Sequence, residues 1–362
     1  MIHRPGGLSG DPLVHTTKSD PGNYFEDFTL GRELVHATPL TLSEGDVSLY
    51  RALTGSRHAL YSARTFAEAS GGPGLAVDPL LAFHVVFGKT VPDISLNAVA
   101  NLGYADGRFP VRLYPGDTLR AVSEVIGHKQ NSNGRTGVVY VRTRGLNQAG
   151  EEVLSYVRWV MVHKKDPASP APETVVPELP AVVDGGSLAP DWGYEGWDDA
   201  LAGSAHRYED YAVGERIDHV DGMTVEEAEH QLATRLYQNT AKVHFDAHAQ
   251  AASRFGKRLI YGGVVISIAR ALSFNGLANA AEMLAINGGT HAGPLFAGDT
   301  VYAWSEVLDR AELSPSVGAL RLRLVAAKDH PCGDFPLRGE DGKYHPDVLL
   351  DFDYWVAIPR RA

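Results

Sequence analysis

Apolar and polar residues alternate along two neighbouring stretches of the chain, residues 118–126 and 137–144. This alternation is typical of antiparallel strands with one buried face. The tetrapeptide Asn-Gln-Ala-Gly at 147–150 predicts a hairpin connection to the next strand. The middle of the first half of the chain is therefore predicted to form antiparallel sheet.

Helical periodicity marks four other stretches. Residues 43–53 and 225–236 mix polar and apolar positions, whereas residues 79–90 and 263–276 are more apolar. We expect the second pair to be the buried helices. The simplest packing of these elements is a long helix wrapped by a curled antiparallel sheet, which is an α+β fold.

The chain contains two copies of this pattern. Residues 24–36 (YFEDFTLGRELVH) match residues 207–219 (RYEDYAVGERIDH), and seven of thirteen positions are identical between residues 115–127 and residues 297–309. Residues 156–160 match residues 352–356, now with a spacing of 196 instead of 182 or 183. The larger spacing indicates an insertion late in the second copy, and residues 329–343 are its expected place.

These blocks define the expected domains. We expect a flexible N-terminal tail at 1–22, a first domain at 23–163, a linker at 164–204 and a second domain at 205–362. The linker contains many Pro, Ala and Asp residues. Its composition is compatible with a flexible segment or with one ordered by contacts to the domains.

Composition and charge restrict the function. Of the residues, 44% are hydrophobic and 21% are charged, as expected of a globular chain, and the net charge is −11. Because nucleic acids and anionic membranes bind basic surfaces, neither is an expected partner. The single cysteine, Cys332, excludes an internal disulfide. With no signal peptide and no membrane-spanning segment, we expect a cytoplasmic protein.

Three short patterns resemble the MaoC-like hydratases of the hot-dog fold. They are Y-F-E-D-F-x-x-G, T-G-x-x-x-x-L beginning at Thr54, and P-G-D-T-L beginning at Pro115. The longer stretch 83–148 is more specific and resembles mesaconyl-CoA (2-methylfumaryl-CoA) hydratases. The resemblance extends from Tyr24 to Ile358. It implies a tandem, or double, hot-dog fold that interconverts mesaconyl-CoA and β-methylmalyl-CoA, with no metal and no redox cofactor.

The resemblance also implies the catalytic residues. Hydrating an enoyl thioester requires deprotonation of water, stabilisation of an enolate oxygen and a proton for C2. The family motif D-x-N-P-(L/I)-H-x-D falls on residues 239–246, which places His244 at the family histidine and Asp246 at the trailing aspartate. Asn239 occupies the position of the catalytic aspartate. We expect His244 to transfer protons, Asn239 to orient water, and Asp246 to orient His244 or carry a second proton. Otherwise, His244 is a turn histidine and Asp246 a helix N-cap.

The oxyanion site is expected at the start of the second apolar helix. The family pattern (I/V)-H-G-M appears as Ile260-Tyr261-Gly262-Gly263. A backbone N–H at a helix N-terminus stabilises negative charge, and glycine permits close approach of the thioester. We assign this role to the N–H of Gly262, with Tyr261 and Gly263 as neighbouring substrate contacts. Alternatively, the two glycines only make a tight turn.

The first copy has Ser56, Tyr61 and Ala63 at the three catalytic positions, so we expect it to bind but not to react. The substrate also carries a free carboxylate, and burying that carboxylate requires a cation or several hydrogen-bond donors. The candidate residues for this contact are Arg235, Arg57, His58 and Lys89. His84, on an apolar helix stripe, is expected to be a packed core histidine.

Two other functions remain open from the sequence. A hot-dog thioesterase has the same fold and the same CoA ligand. A non-catalytic acyl-CoA binding protein would account for the missing aspartate in both copies. A homodimer is a further expectation, although a fused pair already supplies the two hot-dog units.

Overall fold

The computed structural model describes residues 18–188, 190 and 192–361. Most of the expected N-terminal tail lies outside these residues.

The ten strands are β1 (Glu33–Thr41), β2 (Ala98–Arg108), β3 (Thr118–Gln130), β4 (Thr136–Leu146), β5 (Glu152–His163), β6 (Arg216–Thr224), β7 (Glu282–His291), β8 (Thr300–Glu312), β9 (Val317–Lys328) and β10 (Val348–Pro359). The α-helices are α1 (Glu44–Thr54), α2 (Ala59–Ser62), α3 (Arg64–Ala69), α4 (Pro79–Lys89), α5 (Asp199–Ala202), α6 (Glu227–Leu236), α7 (Lys242–Phe245), α8 (Ala247–Gln250), α9 (Gly262–Leu272) and α10 (Phe274–Leu277). Short 3₁₀ helices span Phe25–Asp27, Gly185–Ser187 and Tyr208–Asp210, and a π turn spans Val91–Ser95.

All ten strands form one antiparallel sheet in the order β1-β3-β4-β5-β2-β7-β10-β9-β8-β6. Each half of this order repeats the other in reverse, so the two copies are related by an approximate two-fold axis. The halves meet where β2 pairs with β7, at Gly107 opposite Ile286 and Arg108 opposite Ala285. The tandem hot-dog fold expected from the resemblance is confirmed.

The two apolar helices occupy the middle of the molecule. Both α4 and α9 are eleven residues long and almost entirely buried, as their composition predicts. They meet at equivalent positions of the two copies, where His84 Nε2 lies 2.8 Å from Ser267 Oγ. His84 is fully buried, which confirms the expected core position.

Local sequence accounts for the amphipathic helices that precede them. Ser43 caps α1 by accepting a hydrogen bond from the Asp46 N–H, and the Asp46 carboxylate accepts one from the Ser43 N–H. This reciprocal capping box fixes the helix start, and Gly55, with φ +70°, ends the helix in the left-handed conformation. In the second copy α6 begins after Glu226. Both predicted helices are therefore present within two residues of their expected starts.

The repeated histidines at 36 and 219 have the same role in both copies. His36 Nε2 lies 2.8 Å from Ser123 Oγ, and His219 Nε2 lies 2.8 Å from Ser305 Oγ. In each copy the contact joins the entry strand to the strand that begins at the G-D-T motif. The repeat detected in sequence is therefore a repeat of buried contacts.

Several described residues of the linker contact the two domains. Val183, Tyr194 and Trp197 are buried in an apolar cluster with Trp355 of β10. The Trp355 indole N–H donates to the carbonyl of Val183 at 2.9 Å, and Val175 pairs with His128 of β3.

The late insertion lies between β9 and β10, as the change in spacing predicts. It covers the outer face of the second copy, where Trp304 donates its indole N–H to the Pro336 carbonyl at 3.0 Å. Cys332 is buried in the same small cluster. Within the described residues, no helix is both long and apolar enough to cross a membrane.

Acid is expected to destabilise the fold through its buried histidines. Burial lowers the pKa of His84 and His230 to about 3 and that of His219 to about 4, from an ordinary value of 6.5. Below pH 6.5 these histidines are therefore protonated in the unfolded chain, whereas in the folded chain they stay neutral down to about pH 3–4. The stability contributed by each histidine is complete above pH 6.5 and lost as pH falls, by about 1–2 kcal/mol per histidine at pH 5.

Urea titrations at pH 7.5 and pH 5 measure this effect. Asp78 acts in the opposite direction, because burial raises its pKa to about 6, but it is one group against these three histidines and others whose pKa burial also lowers. We expect a clearly lower midpoint at pH 5. An equal or higher midpoint at pH 5 would show that these histidines are not held neutral.

Candidate active site

A cleft of about 500 Å³ opens between the two copies beside the start of α9. One wall belongs to the first copy and comprises the end of α4, the π turn, β2 and Arg158 of β5. The other wall belongs to the second copy and comprises the segment 239–244, the loop that ends at Gly262, and the end of β7. The polar and glycine residues that line the cleft are Ser95, Asn101, Tyr104, Arg158, Asn239, His244, Arg254, Tyr261, Gly262, His291 and Gly293.

The start of α9 faces this cleft. Gly262 is the first helical residue, so its N–H has no acceptor within the helix. The preceding N–H, that of Tyr261, donates to His230 Nε2 at 3.0 Å. His230 thereby fixes the approach to the helix and leaves the N–H of Gly262 available to a ligand. Tyr261 also lines the cleft, whereas Gly263 lies beneath it against His84.

His244 lies across the cleft from the first copy. Its Nδ1 is 2.8 Å from the carbonyl oxygen of Leu259. Because a carbonyl oxygen can only accept, Nδ1 carries the proton and Nε2 presents a lone pair. Burial lowers the pKa of His244 to about 4, although the bond to Leu259 opposes this shift. The imidazole is therefore neutral at neutral pH and able to accept a proton.

Asn239 is held in a tight turn after α6. Gln238 adopts the left-handed conformation, with φ +55°, and turns the next residue into the cleft. The Asn239 side chain is buried, and its Oδ1 accepts a hydrogen bond from the Ala241 N–H at 3.1 Å. Its amide oxygen is thus engaged. The amide NH₂ is the group left to donate to a water or to the substrate.

Asp246 has a different position. It caps α8, where its carboxylate accepts from the Ala249 N–H at 3.0 Å. It is not among the residues that line the cleft. The arrangement brings His244, Asn239, Tyr261 and Gly262 together but leaves Asp246 outside them.

His291, at the end of β7, was not singled out in the sequence. Its ring packs directly against Gly262, where a Cβ would overlap it, and its Nε2 lies 3.3 Å from the Tyr104 hydroxyl. Burial, with a smaller contribution from His244, lowers the pKa of His291 to about 4. A comparison of the two copies could have drawn attention to His291, because the equivalent residue in the first copy is Phe109, which cannot transfer protons.

The four proposed carboxylate-binding residues do not line the cleft. Arg235 is exposed on α6, and Arg57 is exposed 3.9 Å from Asp221. His58 is buried and hydrogen-bonded to Ala278 and Arg270. Lys89 is buried and donates to the Thr38 carbonyl and, at 2.9 Å, to Gln238 Oε1. Lys89 therefore supports the turn that holds Asn239.

The equivalent site of the first copy is closed. The counterpart of Gly262 is Pro79, which has no N–H to offer an oxyanion. The counterpart of His244 is the buried Tyr61. Only about 20 Å³ remains beside Pro79, because Arg112 pairs with Glu282 and the Trp192 ring covers the Arg112 guanidinium at 4.2 Å. Among the described residues, Pro79 and the Arg112–Glu282 pair with Trp192 therefore leave little space at the position equivalent to the cleft.

The substitution Gly88→Ala, in the first copy, is expected to disturb the turn of the second copy that holds Asn239. A Cβ at Gly88 would overlap the carbonyl of Tyr237 and lie 3.2 Å from the backbone nitrogen of Asn239. We expect a loss of about 1–3 kcal/mol in stability, typical of overpacking, and a lower kcat because Asn239 moves. Melting temperature and kcat measure the two effects. In the control, Gly186→Ala, the added Cβ makes only ordinary contacts. A Gly88→Ala variant indistinguishable from this control would contradict the assignment.

One group of side chains among the described residues has the composition of a metal site. The ligand atoms of His330, His345 and Asp347 lie within 4.8 Å of one another. The group lies at the late insertion, and none of its members lines the cleft. The described residues of the cleft therefore offer no such ligand group for a metal at the reaction site.

Known proteins resemble the chain over nearly its whole length. It is 63% identical to a protein named mesaconyl-CoA hydratase from Cereibacter sphaeroides, over 95% of this chain and 100% of that protein. It is 58% identical to beta-methylmalyl-CoA dehydratase from Chloroflexus aurantiacus, over 96% of this chain and 100% of that protein.

Solved structures have the same fold. A crystal structure from Chloroflexus aurantiacus, described as a MaoC domain protein dehydratase, superposes with a TM-score of 0.94 at 58% identity, covering 96% of this chain and 100% of that one. A Mycobacterium tuberculosis protein with a double hot-dog fold has a TM-score of 0.75 at 24% identity, covering 94% and 99%. The sequence model of the mesaconyl-CoA hydratase family matches residues 12–332. The chain belongs to the mesaconyl-CoA hydratase family.

Proposed function

We propose that the protein reversibly adds water across the C2=C3 bond of mesaconyl-CoA to give β-methylmalyl-CoA. It is a hydro-lyase that acts on a CoA thioester. The observation that carries this proposal is the pairing of His244, with a free Nε2 lone pair, and the unpartnered N–H of Gly262 in one cleft. A base for water and a donor for a thioester oxygen are the two groups that enoyl-thioester hydration requires.

In the hydration direction, His244 Nε2 accepts a proton from water as the water oxygen attacks C3. The electron pair of the C2=C3 bond moves through C2 to the thioester oxygen, which becomes an enolate oxygen. The Gly262 N–H and the positive end of the α9 dipole stabilise that charge. The protonated His244 then delivers its proton to C2, and the thioester re-forms. The net change is one H and one OH added to the double bond.

Asn239 and His291 position the reactants in this scheme. With its Oδ1 engaged by Ala241, Asn239 donates from its NH₂ to the water oxygen and leaves the water protons free for His244. His291 packs against Gly262 and forms the wall beside the thioester oxygen. Asp246 stabilises α8 and so supports the segment that carries His244. The acid/base chemistry then belongs to a single histidine.

We assign the two copies different roles. The second copy supplies His244, Asn239 and Gly262, whereas the first supplies a wall of the cleft and the support of Gly88 and Lys89 for the Asn239 turn. Pro79 in place of Gly262 argues against a second reaction site. A homodimer of the fused chain remains an expectation. Light scattering would test it by distinguishing a mass of 39.0 kDa from twice that mass.

Product analysis tests the proposal against the two alternatives. Purified protein is incubated with mesaconyl-CoA, and the products are identified by mass together with a thiol assay. We expect a gain of one water with no release of free CoA. Free thiol would indicate a thioesterase, and unchanged substrate that nevertheless binds would indicate a non-catalytic binding protein.

A further inference from the structure

Arg158, on β5 of the first copy, is a buried cation without a counter-charge. Its side chain is fully buried. Nη2 donates to Thr90 Oγ1 at 2.7 Å and approaches Ser95 Oγ at 3.5 Å, but Nε and Nη1 are buried with no hydrogen-bond partner. Among the described residues, no carboxylate forms an ion pair with it. The ring of Phe87 covers the guanidinium at 4.2 Å.

Other buried arginines of the fold are better satisfied. Arg112 forms two hydrogen bonds with the carboxylate of Glu282. Arg270 donates from both terminal nitrogens, to Ser273 Oγ and to the carbonyls of residues 280 and 281. A buried charge with free donors is costly, and the cation–π contact with Phe87 supplies no hydrogen bonds. Arg158 therefore has the properties of a group that completes its contacts with a ligand.

The guanidinium lies in the wall of the cleft that faces the reaction site. Arg158 lines the cleft and is the register partner of Tyr104 on β2. Phe87 packs against both Arg158 and Tyr261, whose ring centroid is 5.6 Å from that of Phe87. The Phe87 ring therefore contacts both the Arg158 guanidinium and Tyr261. Tyr261 immediately precedes Gly262, the proposed oxyanion site. Gly262 and Arg158 both line the same cleft.

A second unpartnered polar group lies on the same wall. Asn101 lines the cleft from β2, and both polar atoms of its amide are buried without a partner. Asn101 pairs with Val160, two residues along β5 from Arg158, so both side chains face the inner side of the sheet. A fixed cation with an amide donor beside it suits an anion with several acceptor lone pairs.

We infer that Arg158, assisted by Asn101, binds the distal carboxylate of the acyl chain and is the residue that discriminates against a monocarboxylic chain. This inference rests on the proposed hydratase function, which places the thioester at Gly262. The carboxylate accepts from Nε and Nη1 of Arg158 in charge-assisted hydrogen bonds. A monocarboxylic chain would leave these buried donors unpaired, and that cost is the source of the selectivity.

Turnover of two substrates tests the inference in the intact protein. Crotonyl-CoA has the double bond and thioester of mesaconyl-CoA but no distal carboxylate. We expect Arg158→Gln to lower kcat/KM for mesaconyl-CoA by about 10²-fold or more and to leave that for crotonyl-CoA within a few-fold. Arg158→Lys, which keeps the charge but loses the planar fork, should fall between Arg158→Gln and the wild type. Arg120→Gln, an exposed arginine of the same copy, is the matched control.

Binding without turnover separates this inference from the proposed function. Succinyl-CoA and butyryl-CoA differ in the distal carboxylate and have no double bond to hydrate, so calorimetry reports binding alone. We expect the wild type to prefer succinyl-CoA and Arg158→Gln to lose that preference. If the wild type hydrates neither enoyl thioester but keeps this Arg158-dependent preference, the proposed function fails, and only the contact between Arg158 and the carboxylate is supported. If Arg158→Gln and Arg158→Lys both leave the preference unchanged, or lower binding of both thioesters equally, the inference is overturned.

Discussion

Replacing His244 by alanine is expected to lower kcat for hydration of mesaconyl-CoA by about 10²–10⁴-fold, the usual contribution of a positioned general acid–base group. Its Nδ1 is committed to the Leu259 carbonyl, and its pKa is lowered to about 4, so Nε2 is the proton acceptor at neutral pH. KM should change little, because the imidazole acts on water and not on the CoA portion. Steady-state kinetics at pH 7.5 measure both constants.

His248→Ala provides the control for this variant. His248 is exposed on α8, four residues after His244, and does not line the cleft. We expect it to keep wild-type kinetics. A folded His244→Ala protein that turns over within a factor of two of the wild type would remove His244 from the mechanism.

Adding one methyl group at Gly262 is expected to have the next largest effect. The Cβ of Gly262→Ala would overlap the ring of His291 and stand beside the N–H that faces the thioester oxygen. Alanine keeps this N–H but displaces it from the thioester oxygen, so the effect should approach that of losing one oxyanion donor, about 10²–10³-fold in kcat. We therefore expect a fall of at least about 10²-fold, observed in kcat by steady-state assay.

Gly45→Ala is the matched substitution, because Gly45 also lies in the first turn of a helix and an added Cβ there meets only the flexible Ser43 side chain. It should retain activity. If Gly262→Ala were as active as Gly45→Ala, the oxyanion would have to be stabilised elsewhere.

Local patterns accounted for much of the architecture. The alternation in 118–126 and 137–144 lies within β3 and β4, and the capping residues at the start of α1 fix its beginning. The 183-residue repeat corresponds in the structure to the approximate two-fold axis and to the matching contacts of His36 and His219. These features depend on neighbours in sequence or on direct comparison of the copies.

The cation proposed to bind the distal carboxylate of the substrate could not be found by looking near the catalytic motif in the sequence. Arg57 and Arg235 lie near the motif segments in sequence, but the fold leaves both exposed. Arg158 is distant in sequence and reaches the cleft only because β5 pairs with β2. The sequence did contain a signal: Arg158 is a charged residue at an inward-facing position of a buried strand, between the inward-facing Tyr156 and Val160. Its counterpart in the second copy is Tyr354.

Asp246, the trailing aspartate of the motif, illustrates a different limit of prediction from sequence. A motif register assigns a position but not the direction of a side chain, and the N–H groups at the start of α8 give the Asp246 carboxylate a local partner. His291, by contrast, belongs to no motif and reaches Gly262 across the fold. Tertiary structure decides both cases.

The most direct test is oxygen-18 incorporation by three proteins: wild type, His244→Ala and Tyr61→Phe. Tyr61 is the counterpart of His244, and its buried hydroxyl has no partner to lose. In labelled water, wild type and Tyr61→Phe should convert mesaconyl-CoA at equal rates to a product carrying one labelled oxygen on an intact thioester. His244→Ala should form this product at least about 10²-fold more slowly. Labelled product from His244→Ala with none from Tyr61→Phe, or free CoA from the wild type, would contradict a hydratase whose chemistry resides in the second copy.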